Sequence, residues 1–422
     1  MVDPGADAEA AGRERGRSLP LAGLRVVELS TYVATPLCGL NLAQLGADVI
    51  RVEPMGGAVD RSRWPLADSG ASLYWNGLNQ GKRAVEVDMS SAAGRELVAD
   101  LIVDAGVVIT NSERYRELSF ENLRSRRPDL IYAVLAGRHD GSAAVDYTVQ
   151  AATGFPMVTG PENTRGPVNH VLPAWDITAG MLLTIGLLAA ERHRARTGEA
   201  SRLSVALEDV ALAMAGNLGY LAEAQLDDKP RQRLGNHIFG TFGRDFTTSD
   251  GQRLVVVVLT ARHWRELVEI TGLETAFAAL EQAFDADFTL EADRFRHREA
   301  LAGVIAAWMA GRTAPEVDGL LTGSRLLWSW YRTFAELVAD DAQLLRENPL
   351  LTKIEQPRVG SYWAPGSPLA FGGERSGASP APAVGEHTEE VFGDLLKVSD
   401  ARLSELLEAG VIGTPAASRG AR

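Results

Sequence analysis

Cysteine is almost absent from this 422-residue chain: Cys38 stands alone. An internal disulfide and a Cys-x-x-Cys site are therefore excluded. The glycine-rich nucleotide signatures are missing as well. No Gly-x-Gly-x-x-Gly follows the first strand-like segment, where the turn reads Ser30-Thr-Tyr-Val-Ala-Thr-Pro36, and this disfavours a nicotinamide cofactor. The phosphate-cradling Gly-Lys-Ser/Thr loop and the Gly-x-Ser-x-Gly elbow are also lacking, which leaves nucleotide hydrolysis and serine-nucleophile chemistry without support. The seven histidines show no ligand spacing: His193 falls in a basic turn, and His170, His237 and His387 fall in loops. No metal is expected.

Positive charge is scarce too. Lys and Arg total 42 against 55 Asp and Glu, a net charge of −13. Such a surface repels phosphate backbones and anionic lipid, so neither nucleic acid nor membrane is an expected partner. The most apolar run, Ile177 to Ala190, is too short to span a bilayer and is closed by Asp176 and Glu191. Residues 1–18 carry no apolar signal segment and are expected to be a mobile tail; with the single cysteine this predicts a cytoplasmic location.

What is present is a strand–helix rhythm. Leu24 to Leu29 reads as a buried strand, Leu37 to Leu45 as a helix stopped by Gly46, and Asp48 to Glu53 as the next strand. That is a βαβ unit, hence a parallel sheet. Ala84 to Asp88, Val107 to Thr110 and Leu130 to Ala136 continue the strands, with a helix at Ala92 to Ala105. Thr178 to Arg192 and Leu203 to Ala224 read as two apolar helices. After Gln225 the texture becomes charged. The expected organisation is a large α/β domain over 19–225, a linker over 226–245, a smaller α+β domain over 246–345, and a return to the large domain over 346–422.

One carboxylate has an unusual setting. Asp176 follows Pro173-Ala-Trp175 and opens an apolar helix. Capping of the helix explains an Asp there, since Asp is a favoured N-cap. Low polarity and the positive end of a helix also suit a carboxylate that accepts an acyl group, and the residue pattern leaves both readings open. The stretch Gly235-Asn-His-Ile-Phe-Gly240-Thr-Phe-Gly243-Arg244 is either an interdomain connector or a lid. Lys82-Arg83 and the pair Arg61 and Arg63 read as solvated surface, or as local cations for a polyanionic ligand.

Taken together, Leu21 to Leu29, Leu42-Ala-Gln-Leu-Gly-Ala-Asp-Val-Ile-Arg-Val-Glu-Pro54, Asn79-Gln-Gly-Lys-Arg83 with Glu86-Val-Asp88, Gly198 and Gly385-Glu-His-Thr388 resemble the class III CoA-transferases. The resemblance implies a Rossmann-like large domain built from both chain ends, a smaller inserted domain and an interlocked homodimer. It implies an aspartate nucleophile at Asp176, in the motif Trp175-Asp-Ile-Thr-Ala-Gly180, and contacts to the CoA of the substrate from Val33, Ala34, Asn111, Gly137 and Arg138. No cofactor beyond that CoA is implied.

Val33 departs from the Gln of formyl-CoA-type members, and Val145 before Asp146 departs from the His-Asp pair of the racemase branch. Segments such as Val145 to Val149, Val168 to Ile177 and Phe239 to Phe246 resemble members that move CoA between the two carboxylates of one C5 dicarboxylate. For such a substrate His170, Gly240, Gly243 and Arg244 are the expected binding residues. Arg138, His170 and Arg244 are candidates to meet the non-reacting carboxylate, and N–H groups at the start of the Asp176 helix are candidates to meet the oxyanion. Intermolecular CoA transfer to a free acid, and acyl-CoA binding without catalysis, remain open alternatives.

Overall fold

The computed structural model describes residues 19–227, 231–340 and 346–415; the tail expected at 1–18 lies outside the described residues. Six short, apolar segments form parallel strands: β1 (Arg25–Leu29), β2 (Asp48–Glu53), β3 (Arg83–Val87), β4 (Val107–Thr110), β5 (Ile131–Ala136) and β6 (Ser201–Ala206). A two-residue strand near the end, Ile412–Gly413, pairs antiparallel with β3 and completes the order Ile412–Gly413, β3, β2, β1, β4, β5, β6.

Strands buried on both faces need helices on both faces. On one side α1 (Ala34–Gln44) and the long helix Ala174–Thr197 supply Cys38, Leu42, Leu183, Leu187 and Ala190. On the other, Ala92–Ala105 and Asp400–Glu408 supply Leu97, Val98, Leu101, Ile102, Leu403 and Leu406. The long helix is the one described helix long and apolar enough to cross a membrane, yet its inner face is part of this core. Glycine lets it lie close to α1: a Cβ on Gly180 would come within 2.6 Å of the Ala34 carbonyl oxygen.

Strand order reverses direction between β1 and β4, so the loops that leave their carboxyl ends diverge and open a crevice. The loops after β1 and β4 carry Thr31 to Val33 and Asn111, α1 begins at Ala34, and Gly137 follows β5.

The first unit comprises 19–153, 171–222 and 346–415; the second comprises 154–170, 223–227 and 231–340. The second has a three-stranded antiparallel sheet, Phe242–Thr247, Arg253–Val258 and Leu327–Trp330, over a core centred on Trp264, Phe277, Phe288 and Ile305.

Several expectations change. Residues 154–170 belong to the second unit, where Arg233 donates to the Pro156 carbonyl at 3.0 Å. The linker of 226–245 runs into a strand that holds Gly243 and Arg244, because Gly243 pairs with Val257 and Arg244 with Val256. Leu203 to Ala206 form strand rather than helix, since alternate burial suits a sheet edge beside β5. The stretch Gln356 to Pro382 contains a strand, Gly360–Pro365, paired with Leu351–Gln356.

Candidate active site

Asp176 sits in the first turn of Ala174–Thr197, two residues inside the helix rather than at its cap. The cap position is Pro173, and the capping acceptor is a second carboxylate. Asp146, 2 % exposed, accepts from the N–H of Trp175 at 2.8 Å and of Asp176 at 3.2 Å through one oxygen. Among the described residues its other oxygen is buried without a hydrogen-bond partner. The remaining N–H groups of this turn are engaged as well, Ala174 by Leu172 and Ile177 by Pro173. The oxyanion donors expected at this helix start are therefore occupied.

With its backbone held, the Asp176 side chain is left for chemistry. Among the described residues its carboxylate takes no hydrogen bond or ion pair. Burial pushes its pKa up to about 7, the negative charge of Asp146 adds to the rise, and Arg63 opposes it. A carboxylate shifted this far by its surroundings marks a candidate functional group.

A cavity of about 380 Å³ surrounds it, lined by Val33, Ala34, Asn111, Gly137, Tyr147 and Arg63 among others. Four of the five expected CoA contacts line it: Val33, Ala34, Asn111 and Gly137. Arg138 does not; its guanidinium binds Glu208 at 3.2 Å and the Ala143 carbonyl at 3.0 Å. His170, Gly240, Gly243 and Arg244 lie in the second unit and are not among the lining residues. Arg244 is placed 3.1 Å from His237 and 3.9 Å from Glu299. Glu162, His237 and Glu299 have ligand atoms close together, but the guanidinium beside His237 places a positive charge where a cation would bind.

The positive end of α1 opens onto the cavity. Among the described residues the N–H groups of Ala34 and Thr35 have no hydrogen-bond partner, and the Thr35 hydroxyl is buried and unpaired. Before this helix, Tyr32 adopts φ 69°, a left-handed conformation that costs a non-glycine residue about 1–3 kcal/mol. Asp60 holds it there by accepting the Tyr32 N–H at 2.8 Å.

Asp60 in turn ends a buried ionic network. Arg51 reaches Asp60 at 3.2 Å and Glu28 at 2.8 Å, Lys82 lies 2.9 Å from Glu28, and Arg61 binds Glu53. Lys82 is buried rather than solvated, and desolvation lowers its pKa to about 8 against the pull of Glu28. Cys38, also buried, has its thiol pushed up to about 12 by desolvation and is no nucleophile.

Sequence reasoning passed over Asp146 and Asp60 as site residues and gave Arg63 no definite role. Asp146 lies thirty residues from Asp176, and nothing in local spacing links them. For Arg63 the available signal was its pairing with Arg61 as a local cation for a polyanionic ligand.

Asp146 carries a prediction of its own. Asp146→Asn keeps an acceptor for the helix N–H groups and removes the neighbouring charge, so Asp176 ionises more easily. The rise of kcat/KM with pH, expected near pH 7 in the wild type, should come earlier by roughly half to one pH unit. A pH–rate profile with an unmoved midpoint would count against this coupling.

The Asp176 carboxylate, its pKa raised, thus stands in the switch-point crevice of a doubly wound sheet. Residues 21–388 match CoA-transferase family III, and the chain belongs to that family. It is 46% identical over 401 residues to a 2-methylfumaryl-CoA isomerase of Chloroflexus aurantiacus, with 94% of this chain and 98% of that protein covered. It is 30% identical to a succinyl-CoA:mesaconate CoA-transferase of Haloarcula hispanica, over 88% of this chain and 95% of the other. Among solved structures it resembles a CAIB/BAIF family protein from Brucella suis, with a TM-score of 0.72 and 27% identity, covering 89% of this chain and 99% of that one.

Proposed function

We propose that this enzyme isomerises 2-methylfumaryl-CoA to 3-methylfumaryl-CoA by intramolecular CoA transfer through Asp176. The observation that carries the proposal is the unpaired Asp176 carboxylate, with its pKa near 7, facing a cavity at the sheet's switch point. The identity to the Chloroflexus isomerase supports the choice of substrate.

Each step conserves atoms. A carboxylate oxygen of Asp176 attacks the C1 thioester carbonyl, CoA thiolate leaves, and a mixed anhydride forms. The thiolate attacks the Asp176 carboxyl carbon and expels the C1 carboxylate, giving an aspartyl-CoA thioester and bound mesaconate. The C4 carboxylate then attacks that thioester, thiolate leaves again, and a second anhydride forms. Attack of thiolate on its C4 carbonyl yields 3-methylfumaryl-CoA and restores Asp176. Retention of the dianion gives the second half-reaction a high effective concentration. The free N–H groups at the start of α1 are suited to the developing oxyanion, for which one donor is worth roughly 3–4 kcal/mol. No cofactor is needed beyond the CoA that the substrate carries.

The decisive assay is incubation of the purified enzyme with 2-methylfumaryl-CoA alone. Formation of the isomer without added acid is expected. A strict need for a free acid would replace this reading with intermolecular transfer, the activity named for the Haloarcula relative.

The protein is further proposed to be a cytoplasmic homodimer. In the first unit Met181, Ile185, Leu212 and Leu218 are 41–64% exposed, an apolar set that a second copy of the chain would cover. Light scattering on the eluted protein is expected to give twice the 45.3 kDa chain mass; a monomer would refute the assignment.

A further inference from the structure

Intramolecular transfer sets a demand that the nucleophile cannot meet. The freed dicarboxylate is a dianion, released beside an anionic Asp146, and it must stay in place while it changes which end reacts. A cation has to hold it.

Among the described residues, Arg63 is the one Lys, Arg or His lining the Asp176 cavity. Among the described residues its guanidinium makes no ion pair, although the protein is rich in such pairs nearby. It stands against two aromatic rings instead, 5.4 Å from the centroid of Tyr32 and 4.9 Å from that of Tyr74. Its backbone is fixed on both sides: the N–H donates to the Asp60 carbonyl at 3.1 Å, and the carbonyl accepts from the Ser72 hydroxyl. The Tyr74 hydroxyl is buried without a hydrogen-bond partner among the described residues. A charge held on aromatic faces, and left unneutralised inside a cavity, is prepared for an anion that arrives from outside.

We propose that Arg63 is the specificity-determining residue that binds the substrate carboxylate not engaged with Asp176, in either orientation of the dicarboxylate. The inference rests on the isomerase reading above. A guanidinium accepts a carboxylate through two parallel N–H donors, so it can release one end of mesaconate and take the other without leaving its aromatic seat. It also replaces Arg138 and Arg244, whose guanidinium groups already have partners.

A bland alternative is that Arg63 acts only on the ionisation of Asp176, which it eases. Retention of mesaconate separates the two. The full-length enzyme is given 2-methylfumaryl-CoA with excess carbon-13-labelled mesaconate, and both isomerised thioester and label entering thioester are measured. The wild type is expected to isomerise with almost no label entry. Arg63→Gln is expected to isomerise about a hundredfold more slowly and to admit at least tenfold more label per turnover, because mesaconate escapes; Arg63→Lys should recover part of both.

If Arg63→Gln leaves the label ratio unchanged, whether its rate is normal, reduced or restored by higher pH, the proposal fails. Should folded Arg63→Gln show no turnover, calorimetric titration decides. A tenfold or greater loss of mesaconate affinity supports the assignment, and wild-type mesaconate affinity overturns it. Failure of the isomerase reading shows separately, as a wild type that makes no isomer from the thioester alone.

Discussion

Asp176→Ala is expected to lower kcat by roughly 10⁴-fold or more, as loss of a covalent nucleophile does when nothing nearby can replace it. Asp146 offers no substitute, because one of its oxygens is committed to the helix N–H groups and the other is buried away from solvent. Mass spectrometry after a substrate pulse should find the CoA adduct in wild-type protein and none in the variant; full activity in the variant would remove Asp176 from the mechanism. The loss should come with a gain in stability above neutral pH. The folded-state pKa of about 7 is raised above an unfolded value near ~3.9. The stabilising contribution of Asp176 is therefore complete below about pH 4 and is lost as pH rises through about 7. Asp176→Asn escapes that loss. In urea melts its advantage over the wild type should grow between pH 5 and pH 8, toward a ceiling of about 4 kcal/mol. An advantage that does not change with pH would show that the folded protein does not perturb this carboxyl.

Arg51→Met should have the largest effect on the fold itself. The guanidinium is fully buried and meets Glu28, Glu53 and Asp60. Removing one member of a buried ionic group leaves charge uncompensated, at a cost of about 3–5 kcal/mol, a large part of the 5–15 kcal/mol that holds a typical domain together. The effect should also reach the cavity, since Asp60 supports the strained Tyr32 turn. Denaturant titration is expected to show a midpoint well below that of the wild type, or protein that does not stay soluble. A variant of wild-type stability would mean the network contributes nothing to folding.

Much of the large unit was legible because its strands are four to six residues with runs of β-branched and apolar side chains at their centres, a pattern that suits a doubly covered sheet. The edge strand β6 was not. Its Leu203 and Val205 alternate with Ser and Arg and run directly into an apolar helix, so the strand period was absorbed into the helical one. The blocks that carry the family resemblance turn out to be largely architectural. Glu28, Arg51, Glu53 and Lys82 come from three of them, and in sequence they look like surface charge; only the packing of β1, β2 and α1 puts them inside. Gly39 shows how close that packing is, since a Cβ there would come within 1.8 Å of a Glu28 carboxylate oxygen. Asp176 was visible as a motif. Its setting was not, because Asp146, Arg63 and the start of α1 line the same cavity only through the topology.

The segment Gly385-Glu-His-Thr388 docks along β3, where His387 Nδ1 accepts the Ala84 N–H at 3.2 Å and the Thr388 hydroxyl accepts the Glu86 N–H at 3.1 Å. These partners are some three hundred positions apart. During synthesis, therefore, the earliest strands emerge with one border of the sheet unprotected for most of translation. A nascent chain with such a border can pair with a neighbouring nascent chain. Some three hundred further residues must leave the ribosome before this border of the sheet can be sealed.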